Sequence, residues 1–467
     1  MRGLVFSIAV LATPAVHAAD GVPDPGFGIN GIVEIAWPAG YAAANAVGLD
    51  GSGRMIFGGT AAGPFGDTDF ALFRLLPDGM LDTSYASDAG GFRLIDFDLD
   101  GIGEYSLDAI NDLAIAADGS TTALGEAHFG YGGVNSQFAL ARVDADATLD
   151  PTFGNGGLVH FGSTSFANID YGRALVIDAE QRIVVMGRIA EYRDNTLAFA
   201  WWIGLGRLTA DGEFDPAFFE GGFFRTIFWT DPTIPPPRYS LYNTPISLAL
   251  DDSERILVSG AFEQPIPQDA ALFRAPPDGG FDETFGVDSR TQLGLELGEA
   301  SALLPLAGGG MMVAGASGSG AGSYSLFLSR RLDDGSADAT FGTNGITLIA
   351  LAEGYPEPTL IAPTRGGGWL VGGRLTPTSG SGGPGVVVAR FDANGQPDAG
   401  FGNGGIALFD VADGRHFSAG RVALQADGRL VVAGSLPNSI EDQTPHFAAM
   451  RIFVDHELMF ADGFETR

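Results

Sequence analysis

One stretch of the chain carries carboxylates at the spacing of a short calcium-binding loop. In residues 96–104, acids stand at positions 1, 3, 5 and 9, and a glycine stands at position 6. The four acids are Asp96, Asp98, Asp100 and Glu104. Calcium takes about six to eight oxygen ligands, which alternate carboxylates around a glycine turn can supply. Position 12 is Leu107 rather than glutamate, so the loop is not an EF-hand. A strand with an acidic outer face, in which Phe97 and Leu99 alternate with the acids, explains the same pattern and stays open.

A second set of candidates consists of aromatic residues, some of them next to acids, in the segments that precede apolar, strand-like runs. Aromatic rings with a polar atom can stack on a ligand and hydrogen-bond to it, which suits a glycan or a peptide. The longest such segment, residues 229–244, contains three consecutive prolines and is predicted to determine specificity. The alternative is that each aromatic only anchors its own loop. The candidate ligand-binding residues are Tyr41, Tyr105, Tyr171, Trp229, Tyr239, Tyr242, Tyr355 and Phe417.

A unit that recurs along the whole chain must position these residues. Its most recognisable part is a motif with aspartate three residues before an aromatic, which reads D-P-x-F-G in its fullest form. The aromatic of the seven copies is Phe27, Tyr85, Phe153, Phe218, Phe285, Phe341 or Phe401. Successive copies are 56 to 68 residues apart. A period of this size is typical of repeat architectures.

Each period also contains the pattern of four short strands. An apolar hairpin comes first, as in residues 46–59, and an apolar run that ends in arginine follows it. After a tight Asp-Gly or Asn-Gly turn and the motif comes a further strand. Arg142, for example, precedes Asp150 by 8 residues and Phe153 by 11. We expect the arginine and the aspartate to pair across the turn, and the aromatic to pack between neighbouring units.

Four strands repeated seven times predict an all-β fold, a seven-bladed β-propeller of four-stranded blades. The chain begins with a motif and its strand but no hairpin, whereas the last period lacks a motif: the residue 11 after Arg451 is Asp462. Segment 24–37 is therefore predicted to complete the last blade, which closes the ring and removes open sheet edges. An open solenoid is the alternative.

The order of hairpin, arginine strand, Asp-Gly turn and D-P-x-F-G-x-x-G motif resembles the delta-60 repeat family of bacterial proteins. The resemblance covers essentially the whole chain after residue 18. It implies secreted or surface-exposed repeat proteins of propeller-like form, and it brings no catalytic residues to this sequence. Three units depart from the pattern, through Tyr85, through Phe219 after Phe218, and through the missing second glycine after Phe285.

Composition restricts the classes of partner and of chemistry. The 467 residues carry a net charge of −32, every cation is an arginine, and there is no cysteine. Because an acidic surface repels phosphate backbones and anionic lipids, we expect no nucleic-acid partner and no membrane insertion. The sequence contains no lysine for a Schiff base and no thiol for a disulfide, a thiolate metal site or a nucleophile.

The two ends of the chain are expected to lie outside the fold. Residues 1–18 have the charged, apolar and small-residue regions of a secretory signal peptide, with cleavage after Ala18. We therefore expect export to the periplasm or the cell exterior, a propeller over residues 19–455, and a C-terminal tail over residues 456–467. The exported protein is expected to be a monomer.

The sequence contains no serine-hydrolase, zinc-protease, Walker or dinucleotide-binding motif. We therefore expect a secreted, non-catalytic binding or scaffold module for an extracellular glycan or protein ligand. Calcium is the one cofactor that the sequence suggests. Two alternatives stay open: a carbohydrate-active enzyme that uses carboxylates on the axial face of the propeller, and a purely structural surface or matrix protein.

Overall fold

The structure is a computed structural model. It describes residues 20–63, 67–99, 107–129, 135–162, 169–193, 198–226, 242–263, 268–318, 322–378, 383–411 and 413–455. For residues 191–193, 198–200, 242 and 262–263 only the backbone is described. The predicted signal peptide and the predicted C-terminal tail lie outside these ranges.

Within the described residues, twenty-nine strands form seven antiparallel sheets, and each sheet is one blade of a propeller. The N-terminal strands are β1 (Val22–Pro23) and β2 (Ile32–Ile35). Blade 1 consists of β3 (Ala42–Leu49), β4 (Met55–Ala62), β5 (Thr68–Leu75) and β6 (Phe92–Ile95). Blade 2 consists of β7 (Ala109–Ile115), β8 (Thr121–Phe129), β9 (Asn135–Val143) and β10 (Leu158–Phe161). Blade 3 consists of β11 (Tyr171–Ile177), β12 (Ile183–Arg193), β13 (Ala198–Leu208) and β14 (Phe223–Thr226). Blade 4 consists of β15 (Tyr242–Leu250), β16 (Ile256–Glu263), β17 (Asp269–Ala275) and β18 (Arg290–Gln292). Blade 5 consists of β19 (Glu299–Pro305), β20 (Met311–Gly318), β21 (Tyr324–Arg331) and β22 (Ile346–Leu351). Blade 6 consists of β23 (Gly354–Pro363), β24 (Trp369–Pro377), β25 (Val386–Phe391) and β26 (Ile406–Phe409). Blade 7 contains β27 (Ser418–Leu424), β28 (Arg429–Pro437) and β29 (Pro445–Phe453). The predicted seven-bladed propeller of four-stranded blades is confirmed.

The middle strands of a blade are mostly apolar because both of their faces are covered. Seven of the eight residues of β4 are buried, and so are seven of the eight residues of β5. The hydrophobic clusters lie between blades rather than within them: Phe70 and Leu72 of blade 1 pack in one cluster with Ala139 of blade 2. Stacking of neighbouring blades therefore buries the apolar surface that one repeat could not bury alone.

The N-terminal strands close the ring. Strand β29 pairs with β28 on one side, and on its other side with β2, where Ile32 lies opposite Met450 and Ile35 lies opposite Phe447. Strand β1 continues the same edge beside the end of β29. The prediction that the N-terminal segment completes the last blade is confirmed. Neither of the two short 3-10 turns in the described part of the chain (Ser87–Ala89 and Phe219–Gly221) has the length or the apolar character to cross a membrane.

The recurring motif forms the same contact in every blade. The arginine at the end of the third strand donates from Nε to the motif aspartate at 2.6–2.8 Å, and its guanidinium lies 4.4–5.0 Å from the centroid of the motif aromatic ring. All seven aromatic rings are buried, with at most 2% of their surface exposed. The expected arginine–aspartate pair and the expected packing of the aromatic are both confirmed.

The same contact joins one blade to the next. Arg142 of blade 2 donates to the carbonyl oxygen of Ala210, which lies in the turn of blade 3. The Phe153 ring packs against Gly212 of the same turn, whose φ of +90° suits glycine and where a Cβ would lie 3.0 Å from the ring. The Asp-Gly turn is therefore an interblade contact as well as a reversal of the chain.

Candidate functional site

The inner strand of each blade is interrupted by a β-bulge at the equivalent position. In β3 the pairing register with β4 shifts between Ala44 and Ala46, and the inner strands of the six other blades show a corresponding shift. A bulge inserts an unpaired residue and redirects its side chain, which is why bulges are frequent beside functional sites. The bulged residues, in blade order, are Asn45, Asn111, Arg173, Ile246, Ser301, Thr359 and the pair Gly420–Arg421.

Every bulged residue lines one cavity on the propeller axis, which we call the axial funnel. Its volume is about 320 Å³, and most of its lining residues from the inner strands lie in the first halves of those strands. Tyr41, Glu299, Glu357, Arg374 and Ser435 also line it. Each of the seven blades thus contributes one or two bulged residues, most of them polar, to a single cavity, whereas the repeated residues of the units are used for packing.

Hydrogen bonds between blades hold the floor of the funnel. Asn45 Nδ2 donates to the Ile110 carbonyl of blade 2 at 2.9 Å, and Asn111 Nδ2 donates to the Gly172 carbonyl of blade 3 at 3.0 Å. Arg421 of blade 7 crosses the axis and donates to the carbonyl oxygens of Asn111 at 3.2 Å and Arg173 at 2.8 Å. These bonds fix the backbone positions from which the other lining side chains project.

Two carboxylates of the funnel wall lie in different environments. Glu357 accepts two hydrogen bonds of 2.6 Å from Arg374, which form a bidentate pair. Glu299 accepts a hydrogen bond of 3.1 Å from the Tyr355 hydroxyl. Burial, with the nearby negative charge of Glu357, raises the pKa of Glu299 above its usual value. The wall therefore offers one paired carboxylate and one carboxyl group that retains a proton more readily.

Two donors of the funnel have no protein acceptor within the described part of the chain. They are Arg173 Nε and Ser301 Oγ, and both atoms are buried. The guanidinium of Arg173 lies 5.2 Å from the centroid of the Tyr171 ring. A buried donor without an acceptor costs about 1–3 kcal/mol, so a ligand oxygen at these atoms would stabilise the site.

The structure places the predicted aromatic residues at different depths. Tyr41 lines the funnel, and 43% of its surface is exposed. Tyr171 and Tyr355 stand behind the wall: the Tyr171 hydroxyl accepts a hydrogen bond of 3.1 Å from Arg188, and Tyr355 holds Glu299. Phe417 has no exposed surface and packs in the core of blades 6 and 7. Tyr242 is described only by its backbone at the start of β15, and Tyr105, Trp229 and Tyr239 lie outside the described residues.

Of the four predicted calcium ligands, Asp96 and Asp98 are described, whereas Asp100 and Glu104 are not. Asp96 directly follows β6, and its Oδ1 accepts a hydrogen bond of 2.8 Å from the Asp98 amide. The side chains nearest to Asp96 in the described structure include two acids from another segment, Asp67 and Asp69.

Sequence reasoning did not identify the bulged residues. Their signal is nevertheless present: at one position of the inner strand the units carry asparagine, arginine, isoleucine, serine or threonine, while the surrounding positions keep their apolar pattern. In a repeat protein, a position whose residue type varies from unit to unit, while the fold of the unit stays the same, is a candidate ligand-binding position.

The fold and the funnel define a propeller with an axial cavity, and a family comparison also indicates a propeller. Residues 51–85, 116–153 and 367–401 match a family described as "Domain of unknown function (DUF5122) beta-propeller". Each match ends on a motif aromatic, namely Tyr85, Phe153 or Phe401. The matches support a propeller-type repeat family. No protein with a curated description matches the chain.

Several solved propellers are similar to the chain in fold. Polysaccharide lyase Uly1 is 11% identical, with a TM-score of 0.45, and the alignment covers 93% of this chain and 97% of the lyase. The GH93 α-L-arabinofuranosidase of Fusarium graminearum, in complex with arabinobiose, is 11% identical, with a TM-score of 0.44 and coverage of 91% and 97%. Virginiamycin B lyase from Staphylococcus aureus is 10% identical, with a TM-score of 0.40 and coverage of 90% and 98%. Similarity at this level transfers no activity to this chain.

Proposed function

We propose that the protein is an exported binding module that holds a glycan in the axial funnel. The observation that carries this proposal is the ring of bulged residues, because residues from all seven blades line one shared cavity there and most of them carry polar side chains. A protein that served only as a scaffold would need the repeated packing residues but not a chemically varied ring.

The lining favours a hydroxyl-rich ligand over an apolar one. Arginine donates to sugar hydroxyls, glutamate accepts from them, and asparagine, serine and threonine do both. Ile246 is the one aliphatic side chain larger than alanine among the lining residues. The volume of about 320 Å³ is near the lower end of ligand pockets, which suits one sugar residue or the end of a chain. Tyr41, half-exposed at the funnel, can stack on a sugar ring.

The binding test begins with an array of glycans and peptides, followed by calorimetric titration of the best ligand. Arg173→Ala should weaken binding by about tenfold to a hundredfold, because it removes a charge-assisted hydrogen bond worth about 1.5–3 kcal/mol. The matched control is Arg54→Ala. Arg54 pairs with Asp50 in the turn at the far end of the inner strand of blade 1, and its loss should leave binding unchanged. Equal affinities of wild type and Arg173→Ala would contradict the proposal. If only peptides bind, the proposed glycan ligand is wrong and the ligand is a peptide.

A second candidate function is a carbohydrate-active enzyme. The observation that favours it is the pair Glu299 and Glu357, because burial raises the pKa of Glu299, as a general acid requires, and a second carboxylate, paired with Arg374, stands beside it. A panel of polysaccharides separates the two functions. Release of products by the wild type but not by Glu299→Gln supports the enzyme, and bound but intact glycan supports the binding module.

We also propose that the chain belongs to the delta-60 repeat family and is exported as a monomer. The seven motifs, the signal-like residues 1–18 and the strongly acidic composition support this assignment. Mass spectrometry of the exported protein should find Ala19 as its first residue, and sedimentation should give the mass of a single chain. An uncleaved N-terminus would contradict the export proposal.

A further inference from the structure

Three carboxylates meet at one edge of blade 1, on the side where the inner strand β3 begins. Asp67 and Asp69 flank the first residue of β5, and Asp96 directly follows the end of β6. One carboxylate oxygen from each residue lies within 4.8 Å of the other two. Because β5 begins where β6 ends, the antiparallel sheet brings together acids that are about thirty residues apart in sequence.

Two of these carboxylates are buried without compensation from the protein. Asp67 and Asp69 each have only 3% of their surface exposed. The Oδ1 atom of each is buried and has no hydrogen-bond donor in the described part of the chain. A buried carboxylate normally has an arginine, several amide donors or a metal ion as its partner. Two such groups side by side are therefore suited to share a cation as their partner.

The backbone is shaped to let the carboxylates converge. Gly63 lies beneath them, and a Cβ at this position would lie 2.5 Å from Asp67 Oδ1 and 2.6 Å from Asp69 Oδ2. No side chain can therefore stand at residue 63 while the two acids keep their positions. The third acid is also held in place, because the Asp98 amide donates to Asp96 Oδ1 at 2.8 Å.

A fourth acid supports the cluster from behind. Asp108 accepts hydrogen bonds from the amides of Phe97 at 3.1 Å and His128 at 3.0 Å, and it thereby orders the backbone next to Asp96. Asp69 thus lies close to the negative charges of three other acids, Asp67, Asp96 and Asp108. Without a bound cation, repulsion between these carboxylates therefore lowers the stability of the fold.

A second acidic cluster shows what the first one lacks. Asp178, Glu180 and Glu254 also bring their oxygens within 4.8 Å of one another. There, Arg182 donates to all three carboxylates at 2.6, 2.9 and 3.3 Å. The guanidinium supplies the positive charge at that cluster, so it needs no metal ion.

We propose that Asp67, Asp69 and Asp96 bind one hard divalent cation, calcium. All three ligand groups are carboxylates, without nitrogen or sulfur, and together they offer up to six oxygens at a site that backbone oxygens or water can complete. Magnesium usually keeps several waters and uses one or two carboxylates, so three protein carboxylates favour calcium. Only Asp96 belongs to the linear calcium motif of residues 96–104. The site does not depend on the ligand of the axial funnel.

The test compares calcium binding and thermal unfolding of the full exported protein, stripped with chelator and then titrated with calcium chloride alone. Wild type should bind about one equivalent, and saturating calcium should raise Tm by about 3 °C. Asp69→Asn should weaken calcium binding at least tenfold and lose the Tm increase. In chelator, Asp69→Asn should melt at or above the wild-type temperature, because the substitution removes a repelling charge.

Two control variants separate this ligand set from its alternatives. Glu254→Gln, in the cluster that Arg182 neutralises, should keep the full calcium-induced shift in Tm. Asp98→Asn should keep calcium affinity within about threefold, because its side chain is not one of the three ligands and asparagine tolerates its φ of +38°. The proposal is overturned if wild type shows no heat of calcium binding, if Asp69→Asn binds calcium as wild type does, or if Asp98→Asn abolishes binding.

Discussion

Asp24→Ala should destabilise the propeller through the contact that closes its ring. Asp24, near the N-terminus, accepts hydrogen bonds from Arg451 Nε at 2.8 Å and from Arg429 at 3.2 Å, both from blade 7. The side chains of Asp24 and Arg451 are only 5% and 2% exposed. The substitution therefore leaves the Arg451 guanidinium buried without its carboxylate, although the Phe27 ring and the Pro77 carbonyl still contact it.

Removal of one partner from a buried ion pair costs about 3–5 kcal/mol, and the contacts that Arg451 keeps favour the lower end of that range. Unfolding entropy grows with chain length, so for a protein of this size about 1 kcal/mol corresponds to about 1 °C in Tm. We therefore expect Tm to fall by about 3–4 °C. The edge strands β1 and β2 should also become more accessible to proteases, because the pair anchors them to β29.

The matched control is Asp150→Ala, in the equivalent motif of blade 2. Its carboxylate accepts from Arg142 Nε at the same 2.8 Å, but the two side chains are 25% and 16% exposed. Screening by solvent reduces the contribution of this ion pair to the free energy of unfolding to about 1 kcal/mol, so Tm should fall by about 1 °C. Thermal unfolding followed by circular dichroism measures both variants. Equal losses, or an unchanged Tm for Asp24→Ala, would refute the view that a buried pair holds the ring closed.

Three further predictions concern the motif. Phe153→Ala should lower the free energy of unfolding by about 3–5 kcal/mol, because the ring is fully buried against the next blade. Phe153→Leu should recover most of this loss in the same thermal unfolding assay. Arg142→Ala should lower Tm without changing ligand affinity, since it contacts Asp150, Phe153 and blade 3 but not the funnel; an unchanged melting curve would contradict its structural role. Burial alone would raise the pKa of Asp82, but hydrogen bonds from Ser84 and Arg74 outweigh it and lower that pKa. Because the folded-state pKa lies below the unfolded one, this aspartate stabilises the fold above about pH 4, and the contribution is lost as pH falls through the folded-state pKa. Asp82→Asn should accordingly flatten the fall of Tm between pH 5 and pH 3, and an unaltered pH profile would contradict this assignment.

The fold was predictable because its information is local and repeated. The four strands of each blade from 1 to 6 lie within one period of the sequence, so the number of strands follows from counting apolar runs and turns. Closure was also predictable, since the motif at Phe27 lacks a hairpin and the last arginine strand, which ends at Arg451, lacks a motif. The pairing of arginine, aspartate and aromatic followed from a constant spacing within one unit.

The two candidate sites depend on the tertiary structure. A β-bulge is set by the pairing register between strands, so the sequence does not show that Asn45, Arg173 and Ser301 turn toward a common axis. The carboxylates of Asp67 and Asp69 resemble ordinary surface acids until β5 and β6 place them beside Asp96 and out of contact with water. The sequence repeat determined the fold of this protein. Ring closure and burial decided which of the non-repeated residues lie in contact, because only the folded ring brings side chains that are distant in sequence together and removes them from water.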